Sequence, residues 1–120
     1  MRTVKNYYAD TSFIIDLFNA DEKADHMLEN IDNLFTGAPV IYELNKFPKY
    51  ESDFTDKILN LSPEDVREAA KTWRNLNVNG KRIGEIDHLI AGQVINREMT
   101  LITRDKDFKK IKEVEAEYYR

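Results

Sequence analysis

Tyr7-Tyr8-Ala9-Asp10-Thr11-Ser12 is the stretch whose reading decides the fold. Apolar residues run into an aspartate, and two hydroxyl residues follow it. The pattern predicts a short buried strand over residues 7–10. A helix then starts at Thr11 or Ser12 and carries Phe13-Ile14-Ile15-Asp16-Leu17 to about Phe18. A carboxylate just past a strand end, beside a helix N-terminus, stands where open α/β sheets keep their chemistry. Asp10 is equally suited to plain helix capping, as Asp, Ser and Thr all are. The hexapeptide by itself favours the cap, so the choice depends on the rest of the chain.

Downstream, Ala24, Met27, Leu28, Ile31 and Leu34 recur at helical spacing and predict an amphipathic helix over 21–33. Leu34-Phe35-Thr36, ending at Gly37, reads as a second strand. Pro39 suits the first turn of a helix running through Val40, Ile41 and Leu44 toward Phe47. Residues 47–53 are the least regular stretch and read as a surface connection. Ile58-Leu59-Asn60-Leu61 predicts a third strand. Ser62-Pro63-Glu64-Asp65 is a helix start, with a cap, a first-turn proline and two acids that suit the helix dipole. Val66, Ala69, Ala70, Trp73 and Leu76 give that helix its apolar face, and Asn77-Val78-Asn79-Gly80 ends it. Ile83, Ile86, Ile90 and Val94 form another helical stripe within 83–97. Ala91 and Gly92 are small enough to let that helix lie close to the sheet. Thr100-Leu101-Ile102-Thr103 is a strand. A short helix follows from Asp105 to about Ile111, and 114–119 reads as an edge strand or a frayed tail. Alternating strands and helices call for an α/β fold with a mostly parallel sheet and helices on both faces. Right-handed crossovers then bring the C-terminal strand ends to one edge.

The chain has 120 residues, which fits a single domain spanning 1–120. Hydrophobic content of 42% and charged content of 33% fit a soluble globular protein. The absence of cysteine excludes a disulfide frame and a thiolate metal site, and suits a reducing cytoplasm. No stretch is long and apolar enough to span a membrane, and the N-terminus lacks a signal-peptide pattern. A net charge of −4 is the wrong sign for most nucleic-acid binders.

That charge has a local explanation. Asp10 ends the first strand, and Asp105 follows the 100–103 strand by two residues. Asp87 sits near the start of its helix on the side of Ile90 and Ala91. Glu43 lies between Ile41 and Leu44, flanked by apolar residues, where a carboxylate is costly unless paired or metal-bound, although taken alone it reads more simply as an exposed helix position. Carboxylates that converge without a matched base repel one another. Hard divalent cations relieve that repulsion, and Mg²⁺ or Mn²⁺ fits an all-oxygen ligand set better than zinc does. A carboxylate site holding such ions suits phosphodiester hydrolysis. The chain carries 22 acids and 18 bases, so setting these four acids aside leaves the two balanced. Lys81, Arg82, Arg97, Arg104, Lys106, Lys109 and Lys110 are candidates for a phosphate-binding rim. Lys81, Arg82 and Arg104 are favoured because they adjoin Asp87 and Asp105 in sequence.

Four stretches in order resemble the PIN-domain family, and in particular its VapC-type toxin nucleases. They are Ala9-Asp10-Thr11-Ser12, Tyr42-Glu43-Leu44, Arg82-Ile83-Gly84-Glu85-Ile86-Asp87-His88-Leu89-Ile90-Ala91, and Leu101-Ile102-Thr103-Arg104-Asp105-Lys106-Asp107-Phe108. Together they span nearly the whole chain. The resemblance implies a three-layer α/β/α sandwich, Mg²⁺ or Mn²⁺ dependence and endoribonuclease activity on RNA. It implies a catalytic and metal-binding quartet of Asp10, Glu43, Asp87 and Asp105, with Ser12, Thr103 and Asp107 in support. It also implies a homodimer and inhibition by a cognate antitoxin. Tyr42, Phe47, Tyr50 and Phe54 crowd near the irregular segment, to cover either the core or a partner surface. The chain departs from the family in a short stretch between Glu43 and the Ser62 helix, and in Gly92, where a second alanine is usual. His88 and His26 read as bystanders.

Other phosphate chemistries fit less well. A haloacid-dehalogenase site needs a second aspartate at position 12, which is Ser12, and a receiver needs an acidic pair beside Asp10. The alternative of a different class is a catalytically silent PIN-like module that binds a protein partner.

Overall fold

A single parallel sheet of five strands organises the protein, in the order β3-β2-β1-β4-β5. The structure is a computed structural model that describes residues 4–50 and 57–120. The strands are β1 (Asn6–Ala9), β2 (Asn33–Gly37), β3 (Ile58–Leu59), β4 (Thr100–Thr103) and β5 (Ala116–Tyr118). The helices are α1 (Thr11–Phe18), α2 (Glu22–Leu28), α3 (Ala38–Asn45), α4 (Pro63–Val78) and α5 (Glu85–Asn96). Tyr8 pairs with Phe35 on one side and Leu101 on the other, so β1 is central. The chain steps outward from β1 to β2 and β3, then returns to lay β4 against the far side of β1. These steps run in opposite directions. Right-handed crossovers therefore put α1 and α2 on one face and α4 and α5 on the other, giving the three-layer α/β/α sandwich. The core between the layers is built from Tyr8, Phe13, Val40, Ile90, Leu101, Ile102 and Phe108, each at most 1% exposed.

Local chemistry explains the element ends. Asp10 caps α1 by accepting the Phe13 N–H, and Asp21 caps α2 by accepting the Ala24 N–H. Ser62 and Asp65 form a reciprocal capping box at α4, with Pro63 in its first turn. The predicted helix over 21–33 is shorter than its apolar stripe: α2 ends at Leu28, and Asn33 already pairs with Asn6 in the sheet. Ile31 and Leu34 still pack on the core, so the helical spacing crosses a turn. The α5 helix begins at Glu85, two residues later than the stripe suggests, and the short helix after Asp105 is a 3₁₀ helix, Lys106–Lys110. The C-terminal segment is an edge strand, with Thr103 in register with Tyr118.

Gly92 has a different partner from the one expected. A Cβ there would come within 2.3 Å of the Asp65 carbonyl oxygen and 2.8 Å of the Ala69 Cβ. Its smallness therefore lets α5 approach α4, not the sheet. Gly37 is also required, because a Cβ would overlap Gln93 Oε1 and the Tyr8 hydroxyl. Those two groups share a buried hydrogen bond of 2.6 Å that ties β1 to α5. Part of the 47–53 connection is a 3₁₀ turn, Pro48–Tyr50. Phe54 and the rest of 51–56 lie outside the described residues.

Candidate active site at the switch point of the sheet

The crevice between β1 and β4, where the strand order reverses, is the expected binding position in such a sheet. Asp10 follows the last residue of β1, and its N–H donates to the Ile102 carbonyl across the junction at 3.3 Å. Its carboxylate is buried, 3% exposed, and fully engaged. Oδ1 accepts from Ser12 Oγ at 2.7 Å and from the Phe13 N–H at 2.9 Å, while Oδ2 accepts from Thr103 Oγ1. Asp10 is thus a helix cap placed at the switch point of the sheet. Thr103 in turn accepts the Asp105 N–H at 2.9 Å, so one buried hydroxyl joins the ends of β1 and β4. Ser12 and Thr103, the two hydroxyl residues that the resemblance singles out, both donate to Asp10.

The other three acids arrive from separate elements. Glu43 is on α3 and accepts from Thr11 Oγ1, a contact that joins α3 to the start of α1. Asp87 lies in the first turn of α5. Asp105 caps the 3₁₀ helix by accepting the Asp107 N–H at 2.9 Å. Electrostatics tie these positions together. Burial pushes the Asp87 carboxyl up to about 7, and the next largest influences are the charges of Asp105, Glu43, Asp10 and Asp107. Burial also pushes Asp10 up to about 6, against the lowering hydrogen bonds from Thr103, the Phe13 N–H and Ser12, with Asp105 adding to the rise. A carboxyl surrounded by carboxylates behaves this way when like charge is left uncompensated. Thr11 joins this candidate site through Glu43, and its position directly after Asp10 is the only signal of that in the sequence.

The predicted bases divide. Arg104 has its N–H on Ser12 Oγ and its Nε on Asp16 at 2.9 Å, at the rim of the crevice. Asp16 also accepts from the Tyr119 hydroxyl at 2.7 Å, which pins α1 to the end of the chain. Lys110 bridges the Arg82 carbonyl at 3.2 Å and the Asp107 carboxylate at 3.1 Å, so Asp107 carries its own counter-charge. Lys81 and Arg82 are exposed beside it, and Lys81, Lys110 and Lys112 line a cleft of about 260 Å³. Arg97 does not belong to the rim. It lies just past the far end of α5 and pairs with buried Asp65 at 3.0 Å. His88 is buried and bonds Thr72 at 2.7 Å, and His26 is an exposed partner of Glu29.

The donors in the crevice are carboxylate and hydroxyl oxygens, the set that hard divalent cations prefer. Together with the raised Asp10 and Asp87 carboxyls, this donor chemistry suits a divalent cation. Among the described residues, no three Asp, Glu, His or Cys side chains are gathered into a ready-made cage. The acids share a field across an open crevice.

Residues 7–114 match the family model of the PIN domain, and the chain belongs to that family. Similar solved structures cover nearly all of it. A chain of VapBC2 from Rickettsia felis, bound to a fragment of promoter DNA, superposes with a TM-score of 0.81 at 20% identity, covering 95% of this chain and 98% of that one. A chain of DNA-bound VapBC from Salmonella typhimurium gives 0.82 at 16% identity, with 98% and 100% covered. VapBC-5 from Mycobacterium tuberculosis, of a family of toxin-antitoxin systems, gives 0.74 at 22% identity, with 96% and 98% covered. At these identities the likeness is one of fold. No curated protein matches the chain.

Proposed function

We propose that the protein is a Mg²⁺- or Mn²⁺-dependent endoribonuclease, the toxin of a toxin-antitoxin pair. The observation that carries this reading is the pair of raised carboxyls at the β1/β4 switch point: burial first, then the charges of Asp105, Glu43 and Asp10, lifts Asp87, and burial first, then the charge of Asp105, lifts Asp10. PIN-family membership and the fold shared with VapBC chains support it. The four acids would hold the cation, with Ser12, Thr11 and Thr103 fixing the orientation of Asp10 and Glu43. A bound cation supplies Lewis-acid polarisation of the phosphodiester and a more acidic water. The protein's own part is to hold the acids apart on four elements and to present Arg104, Lys81 and Arg82 to the phosphates of the RNA. Asp107 supports Asp105 through its N–H and holds Lys110 at the rim.

A protein partner fits the exposed aromatic surface. Tyr42 is 57% and Phe47 52% exposed, and Phe18, half exposed, stacks edge-on against Tyr50 at 5.5 Å. We assign this surface to a homodimer contact or to a cognate antitoxin that would cover the crevice. Among the described residues no helix is long and apolar enough to cross a membrane. An RNA substrate would place the protein in the cytoplasm.

Cleavage of total RNA with Mn²⁺, and its loss in EDTA, tests the reading. Asp10→Asn keeps the cap but loses a ligand and should slow cleavage roughly a thousandfold, since metal stabilisation of the transition state is worth several kcal/mol. Cleavage that survives EDTA, or that Asp10→Asn leaves intact, would overturn the assignment.

A further inference from the structure

Tyr118 and its neighbour Tyr119 are both partly buried, but only Tyr119 joins the core cluster. Tyr119 packs against the core, stacks on Phe13 at 5.2 Å and bonds Asp16. Tyr118 is not part of that core cluster. It ends β5 in register with Thr103, the residue that holds Asp10. Burial raises its phenol pKa first, and the charges of Asp105 and Asp10 raise it further, so the ring lies within the field of the crevice. Over the ring stand two ammonium groups, Lys106 Nζ at 4.4 Å and Lys109 Nζ at 5.0 Å from the centroid. Both lysines are exposed, and Lys106 also reaches the Arg120 carbonyl.

An aromatic face with flexible lysines beside it is the unit that single-stranded nucleic-acid sites repeat, with the ring for a base and the cations for the backbone. We propose that Tyr118, Lys106 and Lys109 form the subsite for the nucleotide next to the cut, the ring stacking an unpaired base and the two lysines taking its phosphates. The inference rests on the nuclease reading, because it names the substrate feature that the same crevice recognises. A duplex keeps its bases stacked on one another, so the subsite selects single-stranded RNA. It also gives the acidic crevice a basic wall on the β5 side, continuous with Lys110 and with the exposed Lys81-Arg82 loop.

The test compares Tyr118→Phe, which keeps the ring, with Tyr118→Leu, which keeps apolar bulk and loses the stacking face. Affinity for a short fluorescent RNA is measured in Ca²⁺, and KM and kcat are measured by cleavage in Mn²⁺. Tyr118→Leu should weaken single-strand binding roughly tenfold, the loss of one base stack. The same loss should fall on KM more than on kcat, and affinity for a duplex of the same sequence should not change. Tyr118→Phe should restore most of the affinity. Lys106→Gln and Lys109→Gln should each flatten the dependence of log affinity on log salt by about 0.7, the value for one phosphate contact on a single strand. Equal losses for the Phe and Leu variants, a loss that extends to the duplex, or wild-type binding by Tyr118→Leu would overturn the stacking role. If Tyr118→Leu does not fold, an unchanged salt slope in the double lysine variant overturns the subsite and a flattened one supports it. A chain that cuts RNA while Tyr118→Leu keeps the wild-type KM would sink the subsite and leave the nuclease. A chain that binds single strands through Tyr118 but does not cut in Mn²⁺ would sink the nuclease and leave the subsite.

Discussion

Asp10 and Asp65 are both buried aspartates in helix-capping positions, yet their surroundings push them in opposite directions. Asp10 is 3% exposed and Asp65 fully buried. Each accepts several hydrogen bonds. Around Asp10 the donors are neutral, two hydroxyls and one N–H, and the nearest charges are other acids. Around Asp65 one donor is the Arg97 guanidinium, which contacts both oxygens at 3.0 and 3.2 Å, joined by Asn96, Gln93 and the Ser62 N–H. Burial would raise Asp65 too, but those bonds, Arg97 first, hold it well below the usual carboxylate range. Asp65 is therefore structural, a charge fully compensated where α4, α5 and the Tyr8–Gln93 bond meet. Burial alone does not mark a functional acid. Burial without a facing base is what sets Asp10 apart as a candidate.

The same substitution at Asp65, in the first turn of α4, and at Asp87, in the first turn of α5, should therefore have opposite signs. Asp65→Asn leaves Arg97 without its anion and removes the charge that four donors were placed to meet. We expect a loss of about 3 kcal/mol in unfolding free energy, the scale of a broken buried pair. Cleavage measured below the lowered midpoint should be unchanged. A neutral or stabilising Asp65→Asn would erase the contrast.

Asp87→Asn removes one repelling charge. At neutral pH in EDTA it should stabilise the protein by about 1 kcal/mol, allowing for solvent screening of the exposed part of the group. That corresponds to about 4 °C in the thermal midpoint of a domain of this size. The pH dependence fixes the sign. With folded values of about 6 for Asp10 and about 7 for Asp87, both above the ordinary 3.8, the native state binds more protons than the unfolded chain in that interval. The penalty is absent below pH 4 and grows as pH rises toward 7. Asp65 works the other way: its contribution is present above pH 4 and is lost as the pH falls further. Thermal midpoints across pH 4–8 should converge for wild type and Asp87→Asn at the acid end and separate at the neutral end. Parallel curves would mean that Asp87 does not feel the other acids.

The sequence reveals one of these aspartates more readily than the other. Asp10 is marked locally, by apolar residues before it and hydroxyls after it, and Asp105 by its place just after β4. Their convergence follows from β1 and β4 lying side by side in the parallel sheet, a pairing that no local pattern in the sequence gives. Asp65 reads only as a helix-start acid. Its partner Arg97 is 32 residues away, and no local pattern joins them. For the same reason Arg97 looks like one more rim base. The apolar spacing of 21–33 outruns the helix because Ile31 and Leu34 continue it past a turn, and only pairing with β1 shows that Leu34 is in a strand. Tyr118 is invisible as long as 114–119 reads equally well as a strand or a tail.

The central claim, that Asp10, Glu43, Asp87 and Asp105 form one cation site, is tested most directly by thermal midpoints of wild type and Asp87→Asn, each with EDTA and with Mn²⁺. Mn²⁺ that binds only the folded cluster should stabilise wild type by about 2.7 kcal/mol at a hundredfold excess over its dissociation constant. Asp87→Asn should start higher in EDTA and gain little from Mn²⁺, because it has lost both a repelling charge and a ligand. If Asp87→Asn starts lower in EDTA and Mn²⁺ moves neither midpoint, the four acids are not one site.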